Sequence, residues 1–164
     1  MLPQDIEAIA EAVIRRAEAK GLMIATAESC TGGLVSGALT AIAGSSAVLD
    51  RGFVTYSNEA KVEMLGVDSD LLASFGAVSE STARAMAEGA VARSRASIAV
   101  SVTGIAGPGG GSPQKPVGLV HFAAHGPNGQ TVHLEKRFGD LGRDAIRLES
   151  VRTALGLLTD AVSE

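Results

Sequence analysis

The feature that most constrains this chain is a succession of short, almost wholly apolar runs separated by longer stretches with helical periodicity. "LMIATA" (Leu22 to Ala27), "SIAVSVTG" (Ser97 to Gly104) and "VGLVHFAAH" (Val117 to His125) have the length of buried strands. Residues 1–20 instead space Ile6, Ile9, Ala10, Val13 and Ala17 for one face of a helix, among Asp5, Glu7, Glu11, Arg15 and Arg16. With Pro3 at its start and Gly21 at its stop, this segment reads as an amphipathic helix and not as a signal peptide or membrane span.

"SCTGG" makes a tight turn from the first strand into a helix over Leu34 to Ile42. "VLDRGFVTYS" (Val48 to Ser57) is a second strand with Gly52 at a bulge or close contact, and "NEAKVEML" (Asn58 to Leu65) is a short helix ended by Gly66. Ser79 caps a helix to about Arg95 that buries Ala83, Met86, Ala87, Ala90 and Val91. "GIAGPGGGSPQKP" (Gly104 to Pro116) has too much Gly and Pro for regular structure and is expected to be a mobile loop. "PNG" (Pro127 to Gly129) turns into "TVHLEKRF" (Thr131 to Phe138), predicting a hairpin, and a last helix runs from about Asp140 to Val162. The fold class is α/β: a three-layer α/β/α arrangement with a mixed, mostly parallel sheet containing an antiparallel hairpin. At 164 residues and 46% hydrophobic content, one core and a single domain over 1–164 are expected.

A net charge of −4 lacks the basic stripe that an extended nucleic acid requires, and aromatics at 3% with no Trp offer few surfaces for stacking bases. The single cysteine forms no internal disulfide and zinc-ligand spacing is absent, so no metal or other cofactor is expected and a reducing, cytoplasmic compartment fits. His121, His125 and His133 fall in the hairpin without an H-E-x-x-H pattern and read as ordinary strand histidines. Ala-rich helices permit a homodimer.

In such sheets ligands bind beyond the strand ends, which points to Ser29–Gly33, Tyr56–Lys61 and Thr103–Gly111. The Thr31-Gly32-Gly33 turn can offer backbone N–H groups to an oxyanion or phosphate, or be only a tight turn. Neither the P-loop, nor G-x-G-x-x-G, nor G-x-S-x-G is present. Lys61 lies near the start of its helix, where the macrodipole disfavours a cation, so it is a candidate base as well as an ordinary solvated lysine. Ser29 and Cys30 are rival nucleophiles, the cysteine having buried packing as its alternative. Glu28 is expected on the opposite side of the strand from Ser29, in a structural role that ties loops together. Arg143 and Arg147 share a helix face where either can meet a phosphate or pair with Asp144 or Glu149.

Taken together, "TAESCTGG", "AGSS" (Ala43 to Ser46), "RGFVTYSNEAK" (Arg51 to Lys61), "GAVSE" (Gly76 to Glu80) and "TGIAGPGGGS…KPVG" (Thr103 to Gly118) resemble the CinA C-terminal domain family, which includes nicotinamide mononucleotide deamidases. The resemblance implies metal-independent hydrolysis of the carboxamide of nicotinamide mononucleotide (NMN) to nicotinate mononucleotide and ammonia, with Ser29 as nucleophile and Lys61 as base. It also implies Ser46 and Tyr56 as active-site neighbours, Ser46 being the next nucleophile to test. On this reading Thr31, Gly32 and Gly33 hold the oxyanion, Tyr56 faces the pyridinium, and Thr103, Gly104 or Arg143 holds the phosphate. A non-catalytic nucleotide-binding module and a protein-interaction domain are the alternatives. Many family members carry an additional N-terminal domain that these residues do not include.

Overall fold

The computed structural model describes residues 1–164. A sheet in the order β2-β1-β3-β4-β5 is built from β1 (Ile24–Glu28), β2 (Leu49–Val54), β3 (Ile98–Gly104), β4 (Leu119–His125) and β5 (Thr131–Arg137). β2, β1 and β3 run parallel, and β4 and β5 are antiparallel additions. Helices α1 (Gln4–Lys20), α2 (Leu34–Thr40) and α6 (Arg143–Val162) cover one face. On the other lie α3 (Asn58–Leu65), α4 (Ser69–Phe75) and α5 (Glu80–Ala92). The expected three-layer arrangement is therefore the one observed.

The strand side chains divide between two cores. Ile24, Ile98, Val100, Val102, Val120 and Phe122 pack with α1, α2 and α6, whereas Ala25, Ala27 and Ala99 pack with Leu65, Leu72, Met86 and Ala90. The second core is built on small side chains, so its helices approach closely. A Cβ on Gly89 of α5 would collide with the backbone carbonyl of Leu65, which explains a glycine in the middle of a helix where it costs about 1 kcal/mol relative to alanine. Gly52 in β2 is likewise a close contact, because a Cβ there would strike the hydroxyls of Ser36 and Thr26.

Three details differ from the sequence reading. α4 was not expected; its seven residues are capped by Asp68, whose side chain accepts the N–H of Asp70. α5 ends at Ala92 and α6 begins at Arg143, each shorter than its apolar pattern suggested. The Gly104–Pro116 segment is tied down along its length instead of hanging free. Ile105 N–H donates to Leu119 O (2.9 Å), Ser112 N–H to Lys115 O (2.8 Å), and Lys115 Nζ to Phe75 O (2.6 Å).

Candidate active site

β1 and β2 run side by side to the carboxyl edge of the sheet, where Thr55 N–H donates to Glu28 O at 2.8 Å. The residue that follows β1 is Ser29, whose own N–H is held by Val102 O of β3 at 2.9 Å. Beyond β2, Ser57 caps α3 by accepting the Ala60 N–H at 3.0 Å, which turns the helix so that Lys61 folds back under the strand ends. Lys61 Nζ then sits 3.0 Å from Ser29 Oγ and 2.7 Å from Thr55 O.

Lys61 is 1% exposed, and its partners are a hydroxyl and a carbonyl, neither carrying a charge. Burial pushes the amine below its ordinary value of 10.5. The sequence located the depression in the helix N-terminus; desolvation is its main cause. Cys30 is also buried, and desolvation pushes its thiol up to about 11, so at neutral pH it holds its proton and is a poor nucleophile.

Glu28 is fully buried immediately before the serine. Its Oε1 accepts from Thr31 Oγ1 (2.7 Å), Gly33 N–H (3.2 Å) and Val35 N–H (2.9 Å), and Oε2 accepts from Ser36 N–H (3.0 Å). The amino end of α2 is thus already occupied by a carboxylate from the chain itself. This corrects the expectation that Thr31, Gly32 and Gly33 offer their N–H groups together. Gly33 donates to Glu28 and Gly32 to Ser29 O (3.0 Å), so the turn residues whose N–H groups have no acceptor within the protein are Cys30 and Thr31.

A cavity of about 280 Å³ opens above the pair, and Ser29, Lys61, Tyr56, Thr103, Gly104 and Arg143 are among its lining residues. Arg143, the first residue of α6, donates from Nη1 to Gly107 O (2.7 Å) and from Nη2 to Tyr56 OH (2.9 Å). Thr103 directs its hydroxyl to Ala77 O at 2.8 Å, leaving little of it for a ligand. Arg147 does not line the cavity. It clamps the serine turn from behind, donating to Cys30 O (3.1 Å) and Thr31 O (3.3 Å).

Ser46 is not brought to this site. It is exposed in a 3-10 turn, Ser45–Ala47, that leads into the first residue of β2, and Leu49 there pairs with Ile24, the first residue of β1. Ser29 lies beyond the opposite end of β1, about 15 Å away at the rise of an extended strand. Its exposure and distance remove Ser46 as a rival nucleophile. His121 and His133 lie outside the cavity and bond to each other across β4 and β5 (Nδ1 to Nε2, 2.9 Å). Asn58 lines the cavity from within the candidate segment Tyr56–Lys61, whereas sequence reasoning missed Ala77 and Val78 as lining residues and Arg147 as a clamp. Ala77 and Val78 stand in the quoted "GAVSE", which was the available signal. No group of three or more His, Cys, Asp or Glu gathers anywhere as metal ligands would, and no helix is long and apolar enough to cross a membrane.

A family model described as the CinA C-terminal domain matches residues 6–162. A CinA-like protein of an Anaeromyxobacter species is 51% identical over 148 residues, which are 90% of this chain and 36% of the relative. The chain thus spans little more than a third of the length of such CinA-like relatives. The nicotinamide-nucleotide amidohydrolase PncC of Escherichia coli is 48% identical over 159 residues, 96% of this chain and 95% of the relative. The crystal structure of the competence/damage inducible protein CihA from Agrobacterium tumefaciens matches with a TM-score of 0.97 at 60% identity, over 100% of this chain and 99% of that one.

Proposed function

This chain belongs to the CinA C-terminal domain family, and from that premise we propose that it hydrolyses the carboxamide of NMN to nicotinate mononucleotide and ammonia. The observation that carries the proposal is the buried Lys61 amine at 3.0 Å from the Ser29 hydroxyl, on the floor of a cavity. A relative named as a nicotinamide-nucleotide amidohydrolase matches over nearly its whole length and supports the choice of substrate.

In the neutral state Lys61 accepts the Ser29 proton while keeping its bond to Thr55 O, and Ser29 Oγ attacks the carboxamide carbon. The oxygen of the tetrahedral adduct takes a hydrogen bond from the N–H of Cys30, the free turn donor that belongs to the cavity lining. Collapse breaks the C–N bond, and the Lys61 ammonium returns the proton to the leaving nitrogen, releasing ammonia. Water, deprotonated by Lys61, then cleaves the acyl-Ser29 ester. Every step draws on the side chains and backbone of the site, and none calls for a metal. Tyr56 and Arg143 receive the pyridinium and the phosphate respectively. The reaction belongs to a compartment where pyridine nucleotides are salvaged, in keeping with the cytoplasmic expectation.

The test is ammonia release from NMN, nicotinamide riboside and nicotinamide, with thermal stabilisation measured in parallel. Turnover of NMN above both smaller amides is the expected result. Stabilisation by NMN without ammonia would leave a binding module and overturn the proposal.

A further inference from the structure

The cavity above Ser29 is one-sided in charge. Lys61 and Arg143 are cations, and no Asp or Glu is among the lining side chains. The nearby acids do not make up the difference. Glu28 spends both carboxylate oxygens on donors from Thr31 to Ser36, and Glu59 and Glu63 of α3 face solvent. β3 and the connection between α4 and α5 contribute Thr103, Gly104, Ala77 and Val78, none of which titrates. The Cys30 thiol keeps its proton, and the Tyr56 hydroxyl accepts from Arg143. An ammonium at Lys61 has three N–H groups but two acceptors, Ser29 Oγ and Thr55 O. Its third N–H and its charge both lack a partner. We propose that the cavity retains a phosphorylated aromatic carboxylate, the class of its own product, as an inhibitor, and that binding this anion places a proton on the Lys61 amine.

Taking the product from the amidohydrolase reading, the end of the catalytic cycle leads to this complex. Water attack on the acyl-Ser29 ester forms a carboxylic acid and restores the serine hydroxyl. The proton of the acid passes to the neutral Lys61 amine, which leaves carboxylate and ammonium side by side. The carboxylate supplies the third acceptor and the counter-charge together, and such a charge-assisted bond is about twice as strong as a neutral one. NMN makes the opposite demand on the same amine. Its carboxamide is uncharged and its pyridinium adds a positive charge, so it binds best where Lys61 is neutral. Substrate and product differ at that one group, and their ribose and phosphate contacts cancel. The product is thus held in the protonation state that cannot begin another cycle. Burial already keeps the amine below its ordinary value, so a neutral amine is there for the anion to charge. Inhibition therefore strengthens as pH falls, and levels off once the free amine is itself protonated.

The experiment is titration calorimetry on the full chain from about pH 7 to 10, in two buffers of different ionisation enthalpy. Nicotinate mononucleotide is titrated into the wild type, and both it and NMN into Ser29→Ala, which cannot consume the amide. Near pH 7 the carboxylate should bind about 10- to 100-fold more tightly than NMN, the worth of one charge-assisted hydrogen bond. Where the free amine is neutral, binding of the carboxylate should take up as much as one proton per site and weaken by about tenfold per pH unit. NMN should take up none. Lys61→Met, its fold checked by circular dichroism, should bind the two nucleotides alike without proton exchange. Equal affinity of Ser29→Ala for both, no proton uptake by the wild type anywhere in the range, or uptake that persists in Lys61→Met would overturn the proposal. Ammonia release from NMN is scored separately. An active enzyme that shows none of the proton linkage defeats this inference alone, and an inactive protein defeats the amidohydrolase reading while proton uptake still decides the inference.

Discussion

At the scale of single residues, two adjacent side chains take opposite parts because of what surrounds each. Ser29 faces an amine with no counter-ion, whereas Cys30 is packed in the core with its proton held. Ser29→Ala should lower kcat by at least a thousandfold, in the range seen when a nucleophile or its activating partner is removed. Cys30→Ala should keep most activity, and the thiol should react with iodoacetamide only as the protein unfolds. An active Ser29→Ala protein, or rapid native labelling, would reverse the assignment. The amine adds a pH dependence with a definite sign. Lys61 works as a base only when neutral, so kcat/KM should rise with pH along a limb centred below the ordinary lysine value of 10.5. The same shift acts on stability. The unfolded chain binds the proton more readily than the folded one, so this group makes stability increase as pH climbs from the depressed value toward the unfolded one. A pH–rate profile flat from pH 6 to 10 would remove Lys61 from the chemistry.

At the scale of elements, the three central strands β1, β3 and β4 were legible because they are covered on both faces and read as nearly unbroken apolar runs, as in "SIAVSVTG". The same double coverage concealed Glu28. The face opposite Ser29 was expected to carry a loop-tying residue, but that face meets α2, and a carboxylate is welcome there because four donors converge on it. Those donors come from Thr31 to Ser36, a local pattern that spacing alone does not reveal. α4 escaped notice because "SDLLASF" is too short to display a period, although Asp68 supplied a capping signal. Ser46 was misplaced for a different reason: a motif in the right order along the chain says nothing about which end of a strand it occupies. Glu28→Gln tests the element directly. The amide has one oxygen where the carboxylate has two acceptors, so an N–H of α2 must face an NH₂. Urea unfolding should show a loss of about 1–3 kcal/mol, the cost of leaving a buried hydrogen-bonding group unsatisfied. A change within a few tenths of a kcal/mol would mean that α2 does not depend on this carboxylate.

On the scale of the whole molecule, the site depends on segments far apart in the chain that the sheet gathers at one edge. Arg143 is the clearest case: it begins the last helix, yet its guanidinium joins Gly107 of the long loop to Tyr56 at the end of β2. The helix pattern offered it as one of two arginines on a face, and the family resemblance named it, beside Thr103 and Gly104, as a candidate for the phosphate. Topology separates the two arginines, since Arg147 is committed to the carbonyls of Cys30 and Thr31 while Arg143 reaches the cavity. On the proposed function, Arg143 exchanges part of its present bonding for the phosphate of the nucleotide. Arg143→Ala should then raise KM for NMN by about 10- to 100-fold, corresponding to a charge-assisted hydrogen bond of about 1.5–3 kcal/mol, with a smaller effect on kcat. The discriminating comparison is nicotinamide riboside, which lacks the phosphate: its kcat/KM should be nearly unchanged by the same substitution. Arg147→Ala should behave differently, lowering kcat for both substrates because it loosens the turn that carries the nucleophile. Equal losses on nucleotide and nucleoside in Arg143→Ala would assign this arginine to holding the loop against Tyr56 and would move the phosphate site elsewhere on the cavity wall.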